Sequence, residues 1–183
     1  ALPILDHDSK DLVEENTELQ KLELFSQEKD TLVVIEDNEQ IRTYIKKIFF
    51  ADYLVLEAKD GAAGLELIKK YIPDLIISDI LMDGINGLDL CKMIMDDAAI
   101  KHIPVILLTG DTTPDIMVKS LEQGAIDFLR KPFDKELLTA RVKSVLRNKT
   151  KLQQYFYKEV TKENIAINIS RENKDLLNNC SAV

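Results

Sequence analysis

Hydrophobic residues between positions 31 and 148 follow two alternating periodicities. Short apolar runs rich in Val, Ile, Leu and aromatic residues lie at 32–35, 53–56, 75–77, 105–108 and 126–129. Runs of this length and composition are typical of buried parallel strands. Each is followed by a segment in which apolar residues recur at helical spacing. The pattern predicts five strands alternating with five helices, an α/β fold with a doubly wound parallel sheet.

The helical segments are recognised by their apolar faces and by the residues at their ends. The faces of the first, second, third and fifth helices comprise Ile41, Ile45, Ile48 and Phe49; Leu65, Ile68 and Ile72; Leu88, Cys91, Ile94 and Met95; and Leu138, Val142 and Val145. Thr113 and Pro114 mark the start of the fourth helix, as N-cap and first helical residue, and Gly124 marks its end. The fifth helix is expected to begin near Asp134.

The fifth helical pattern continues beyond the length that a compact domain needs. Its apolar stripe, interrupted by Lys149, reaches Leu152 and Phe156 at heptad spacing. After Val160 the sequence is polar, and we expect irregular chain there. We therefore assign 31–148 to the folded domain and 149–183 to an extended helix and a linker.

Charge is distributed unevenly among these segments. The formal net charge is −8, and residues 1–30 carry nine acidic and three basic side chains. Residues 147–183, in contrast, carry four acidic and seven basic ones. The first thirty residues have only a patchy helical stripe, so they are expected to be a linker or frayed helix, with a docking helix as the alternative.

Composition excludes several classes of protein. With 45% hydrophobic residues the chain can form a sizeable core, and its two cysteines cannot make a disulfide framework. No run of 18 apolar residues is present, which argues against a membrane-spanning helix. The acidic balance argues against non-specific nucleic-acid binding, and no glycine-rich nucleotide-binding motif occurs.

Polar side chains follow the predicted strands at their carboxyl ends, where doubly wound sheets gather functional residues. Glu36 and Asp37 follow the first strand, and Asp79 follows the third. Three converging carboxylates repel one another, and a hard cation such as Mg²⁺ relieves that repulsion. Thr109 and Lys131 follow the fourth and fifth strands and offer a hydroxyl and a positive charge to a phosphoryl oxygen. The set is suited to phosphoryl transfer.

These residues lie in motifs that resemble the receiver domain of two-component response regulators. The matching segments are 32–38, 76–82 with Gly87, 105–109 and 131–133. The resemblance covers residues 31–148. It implies a flavodoxin-like (CheY-like) sheet of five parallel strands with five helices, of which the last is extended. It also implies a domain that acts as phosphoacceptor in two-component signal transduction.

The resemblance assigns a role to each residue of the acidic site. Asp79 is the expected phosphoacceptor, taking a phosphoryl group from the phosphohistidine of a histidine kinase. Glu36 and Asp37 are expected to hold Mg²⁺ together with the Asp79 carboxylate and the backbone carbonyl of Leu81. Lys131 is expected to bind a phosphoryl oxygen.

The resemblance also implies a switch beside this site. Thr109 and Phe128 are the expected pair: the hydroxyl moves toward the phosphate and the aromatic ring follows. The peptide bond between Lys131 and Pro132 is expected to be cis. The face formed by the fourth helix, fifth strand and fifth helix would then change, and with it the geometry of a homodimer.

The sequence departs from the common receiver pattern at several positions. Glu36 replaces the commoner Asp, Asp83 stands where proline often follows the methionine, and Gly110 replaces a small residue with a side chain. Leu81 and Asp111 occupy positions that influence hydrolysis of the acyl phosphate in this family. Because the apolar Leu81 cannot orient an attacking water, we expect a long-lived phosphoryl-Asp79.

The flanking segments resemble parts of a larger signalling protein. Residues 2–5 resemble the last strand of a histidine-kinase ATP-binding domain, and residues 152–177 resemble the stretch that joins a receiver to an AraC-type helix-turn-helix domain. The expected parent is a hybrid sensor histidine kinase and response regulator that controls transcription. We expect this chain to lie in the cytoplasm, with the parent anchored in a membrane, and to contact neither DNA nor membrane itself.

The same residues leave two alternatives to a phosphorylated switch. A receiver-like scaffold could dimerise without phosphorylation, and the complete set of acceptor residues argues against it. An aspartyl-phosphate phosphatase usually needs a second Asp two residues after the nucleophile, but Leu81 holds that position. We therefore expect an acceptor of phosphoryl groups rather than a turnover enzyme, within a parent kinase.

Overall fold

Five parallel strands form the centre of the protein. The computed structural model describes residues 29–110 and 113–180, with side chains described as far as residue 157. The strands are β1 (Thr31–Ile35), β2 (Leu54–Ala58), β3 (Leu75–Asp79), β4 (Val105–Thr109) and β5 (Asp127–Arg130). Their order in the sheet is β2-β1-β3-β4-β5, and every neighbouring pair is parallel. The predicted doubly wound five-stranded sheet is confirmed.

The central strands are buried, as their continuous apolar runs predict. All five residues of β3 and of β4 are buried, as are the last four of β1. The edge strands β2 and β5 are only partly covered. Strand order changes direction between β1 and β3, so the crevice at their carboxyl ends is the expected place for a ligand.

Five helices alternate with the strands. They are α1 (Glu39–Phe49), α2 (Gly61–Tyr71), α3 (Gly87–Asp96), α4 (Pro114–Glu122) and α5 (Lys135–Cys180). The side chains of Asn38, Asp60 and Asn86 accept backbone N–H groups at the starts of α1, α2 and α3. Thr113 is the N-cap of α4, and the chain leaves this helix at Gly124 with φ 92°, which confirms the sequence prediction.

Two residues do not belong to the apolar faces that the sequence predicted. Ile72 is 45% exposed and ends α2 in the left-handed region, with φ 45°. It precedes Pro73, whose ring disfavours helical backbone in the residue before it. Met95 is 46% exposed, and its side chain covers Gly124 rather than entering the core. Leu90, absent from the predicted face of α3, is buried instead.

Helix α5 is much longer than the sequence pattern predicted. It contains 46 residues and continues to Cys180, so the expectation of irregular chain after Val160 is wrong. Residues 134–183 contain neither glycine nor proline, and nothing there interrupts helical hydrogen bonding. Leu138 and Val142 are buried, whereas Leu152 and Phe156 are 57% and 59% exposed.

Some expectations fall outside the part of the chain that the structure describes. These are the leading linker up to residue 28 and the role of Asp111. Within the described ranges, no helix has the length and apolar character needed to cross a bilayer.

Gly87 allows the start of α3 to pack directly against the end of β3. Its N–H donates to the Ile80 carbonyl at 3.0 Å. A Cβ atom at this position would lie 2.2 Å from the Asp79 carbonyl oxygen and 2.9 Å from the Ile80 Cα atom. Because these are backbone atoms, a side chain could be accommodated only by moving the end of β3.

We predict that Gly87→Ala lowers the free energy of unfolding by about 1–3 kcal/mol, the usual cost of overpacking. Chemical denaturation monitored by circular dichroism measures it. Gly110→Ala is the matched control, because a Cβ atom there would meet nothing within 4 Å. Equal stabilities of the two variants would show that α3 does not approach β3 as closely as described.

Candidate functional site

Three carboxylates meet where β1 and β3 end. These strands are neighbours, with Ile35 paired to Ser78, so the residues that follow Ile35 lie beside Asp79. Carboxylate oxygens of Glu36, Asp37 and Asp79 all lie within 4.8 Å of one another. Glu36 is 1% and Asp79 5% exposed, while Asp37 is exposed. The structure thus brings together the three acidic residues that the sequence singled out.

Lys131 connects two of these carboxylates. Its Nζ atom lies 2.6 Å from Glu36 Oε2 and 2.9 Å from Asp79 Oδ2. The backbone N–H of Lys131 donates to the Thr109 carbonyl at 2.7 Å, which holds the lysine beside the end of β4. The bond from Lys131 to Pro132 is cis, as expected. One ammonium group thus bridges two of the three acidic side chains.

Burial raises the pKa of the Glu36 carboxyl above its usual 4.5. The negative charge of Asp79 raises this pKa further, whereas the hydrogen bond from Lys131 and its positive charge lower it. Burial is the largest of these effects. The site therefore holds a carboxylate that would be more stable if its charge were removed or further neutralised.

The remaining predicted site residues lie around this cluster. Thr109 is 1% exposed at the end of β4. Phe128 lies in β5, is paired with Leu107, and packs against the hydrophobic core while remaining partly exposed. Leu81 lies two residues beyond β3, and its side chain is 66% exposed.

Sequence reasoning missed Arg42 and Asn38. Arg42 Nη1 donates to the Glu36 carbonyl oxygen at 2.7 Å and to that of Asp37 at 3.4 Å. The Asn38 N–H lies 3.4 Å from Glu36 Oε1. The sequence does place a basic residue, Arg42, within two helical turns of the acidic pair. That spacing does not show that its side chain folds back onto the turn that carries the pair.

The acidic residues fit a hard divalent cation. They supply oxygen ligands from three side chains that already lie within 4.8 Å of one another. Mg²⁺ is bound by carboxylate oxygens and retains several waters, which suits a cluster with one exposed member. Only one lysine contacts any of the three carboxyl groups in the described part of the chain, so a cation would add positive charge where acidic side chains outnumber basic ones.

Comparison with known proteins identifies the family to which the chain belongs. A family model described as the response regulator receiver domain matches residues 32–143. The crystal structure of the signal receiver domain of a signal transduction histidine kinase from Syntrophus aciditrophicus superposes with a TM-score of 0.61 at 33% identity, covering 65% of this chain and 91% of that one. The protein therefore belongs to the response regulator receiver domain family of two-component signalling, a class of phosphoacceptors.

Two of the proteins to which the chain is similar are histidine kinases. Histidine kinase P4 of Formosa agariphila is 36% identical over 170 residues, which are 91% of this chain and 12% of that protein. Hybrid signal transduction histidine kinase D of Dictyostelium discoideum is 33% identical over 156 residues, 83% of this chain and 10% of that protein. The chain thus spans about a tenth of the length of these relatives.

Glu36→Gln should stabilise the metal-free protein at neutral pH, by about 1 kcal/mol. In the wild type, an acid whose pKa is raised on folding binds more protons in the folded state, so its cost grows as pH rises above 4.5. The stability gained by Glu36→Gln should therefore vanish as pH falls toward 4.5 and below.

Thermal unfolding in EDTA between pH 4 and pH 8 measures this difference. Glu66→Gln on α2 is the matched control, since Glu66 is exposed. A gain of Glu36→Gln that is equal at every pH would contradict the assigned cause.

Proposed function

We propose that Asp79 accepts a phosphoryl group from a phosphohistidine and that the domain thereby changes its output state. The observation that supports this most strongly is the contact of Lys131 Nζ with Asp79 Oδ2 at 2.9 Å, inside a cluster of three carboxylates. A lysine at this position partly neutralises the negative charge of the Asp79 carboxylate. It can then donate a hydrogen bond to a phosphoryl oxygen once the group is attached to Asp79.

In the transfer, an oxygen of Asp79 forms a bond to phosphorus while the bond from phosphorus to the histidine nitrogen breaks. The histidine ring keeps the electron pair of that bond and takes up a proton. Lys131 is already bound to Asp79 Oδ2, which leaves the second oxygen for attack. Glu36, Asp37, Asp79 and the carbonyl of Leu81 would hold Mg²⁺, which when bound neutralises charge on the phosphoryl oxygens.

The switch that we propose begins at Thr109. Asp79 is paired with Leu108 in the sheet, so a phosphate on Asp79 lies one strand away from the Thr109 hydroxyl. Phe128 lies on the next strand, paired with Leu107. Movement of the threonine toward the phosphate would therefore be passed to the aromatic ring across neighbouring strands. The exposed, apolar Leu81 favours slow hydrolysis of the phosphate.

We propose a hybrid histidine kinase as the parent and a cytoplasmic location for this chain. The similarity to histidine kinase P4 and to hybrid kinase D supports this assignment. The kinase of the same polypeptide would then be the donor, and an AraC-type domain after α5 would control transcription. The exposed Leu152 and Phe156 on α5 are available for the contact between two copies of the chain.

The assignment of Asp79 is tested by mass spectrometry of the intact protein after treatment with acetyl phosphate and Mg²⁺. We expect wild type and Asp83→Asn to gain the mass of one phosphoryl group, and Asp79→Asn to gain none. Asp83 is a matched control because it is an exposed Asp in the loop after β3.

Two results would contradict the proposal. Equal labelling of wild type and Asp79→Asn would exclude Asp79 as the acceptor. An absence of labelling in wild type and in the Asp83→Asn control would favour the alternative, a scaffold that dimerises without phosphorylation.

A further inference from the structure

Arg42 binds the backbone of the turn that carries two of the acidic side chains. Its Nη1 atom donates to the Glu36 carbonyl oxygen at 2.7 Å, and the Asp37 carbonyl oxygen lies at 3.4 Å. One guanidinium thus contacts two successive peptide groups whose side chains enter the site. A residue outside the cluster is therefore bonded to the backbone of both residues.

Glu57 forms an ion pair with Arg42. It lies on β2, paired with Val34 of β1, and its Oε1 atom is 3.9 Å from Arg42 Nε. Its other carboxylate oxygen accepts a hydrogen bond from Lys46. The side chains of Arg42 and Glu57 are 17% and 25% exposed, so water screens their attraction less than it would a fully exposed pair.

The shape of arginine matters for this arrangement. Its planar head has five N–H donors in a fixed fork. Nη1 faces the carbonyl groups of the turn while Nε faces the Glu57 carboxylate. A lysine has one compact ammonium group, which could keep the charge but could not face both partners in the same way.

Asn38 fixes the other side of the same turn. Its side-chain oxygen accepts from the N–H groups of Gln40 and Ile41 at 2.9 and 3.2 Å, which ties the turn to the start of α1. Asn38 thus sets where α1 begins. Arg42 lies on the same helix, and its side chain reaches back to the carbonyl groups of Glu36 and Asp37. The turn is closed from both ends.

We propose that Arg42 is a positioning residue that orders Glu36 and Asp37 for binding of Mg²⁺. This inference rests on the proposed function of the acidic site. Two effects of Arg42 oppose each other: its positive charge disfavours a nearby cation, whereas the order that it imposes favours one. The ordering effect is the larger of the two, because Arg42 contacts the carbonyl groups of the turn and Glu57 offsets the positive charge of Arg42.

Calorimetric titration with Mg²⁺ tests this directly, because it measures binding without phosphorylation. We expect Arg42→Ala to weaken Mg²⁺ binding about tenfold, the lower end of the loss caused by removing groups that orient metal ligands. Arg42→Lys should recover part of that loss. Lys47→Ala, which removes an exposed positive charge from the same helix, should leave the affinity unchanged and is the matched control.

Phosphorylation with acetyl phosphate separates positioning from a general loss of stability. The labelling rate of Arg42→Ala should fall at low Mg²⁺ and return to the wild-type rate at saturating Mg²⁺. A merely structural role would lower the unfolding temperature in EDTA and leave the dependence of the rate on Mg²⁺ unchanged, which would overturn the proposal.

Other outcomes are equally decisive. Unchanged or tighter Mg²⁺ binding by Arg42→Ala would show that charge dominates and would overturn the proposal. If Arg42→Ala does not fold, Glu57→Gln takes its place and should weaken binding at least about twofold; unchanged affinity would again overturn it. Normal Mg²⁺ binding by the wild type without labelling of Asp79 would refute the proposed function and leave the role of Arg42 to be read from the titrations.

Discussion

The contact of Lys131 with Glu36 and Asp79 is the interaction on which the site depends. Two buried carboxylates and an exposed third one lie within 4.8 Å of one another, and like charges so close would otherwise separate or bind protons. The Lys131 ammonium group offsets part of this repulsion, because its Nζ atom lies 2.6 Å from Glu36 Oε2 and 2.9 Å from Asp79 Oδ2. The negative charge that Lys131 does not offset suits the cluster to a divalent cation.

The parallel sheet brings the residues of the site together. Because β1, β3, β4 and β5 are parallel and adjacent, the residues that follow them reach one edge even though they are far apart in sequence. Gly87 lets α3 approach the end of β3, and Arg42 closes the turn after β1. The backbone that carries the carboxylates is therefore held by contacts from α1 and α3, while Lys131 follows β5, 95 residues after Glu36.

The sequence predicted the sheet and the charged cluster because both follow from short-range patterns: apolar runs define the strands, and strand ends define the edge where Asp79 lies. It failed where tertiary packing decides. Proline after Ile72 ended the apolar face of α2, Met95 packed over Gly124, and α5 continued through polar sequence that lacks helix breakers. The role of Arg42 depends on the direction of a long side chain, which no periodicity shows.

The most direct test of this account is the pKa of the Glu36 carboxyl, measured by carbon NMR in metal-free wild type and in Lys131→Met. In the wild type the pKa should lie above 4.5, because burial outweighs the contribution of the lysine. Removing the ammonium group takes away the largest effect that lowers it, so the pKa should rise further in Lys131→Met. An equal or lower pKa in the variant would show that Lys131 does not hold the acidic cluster together.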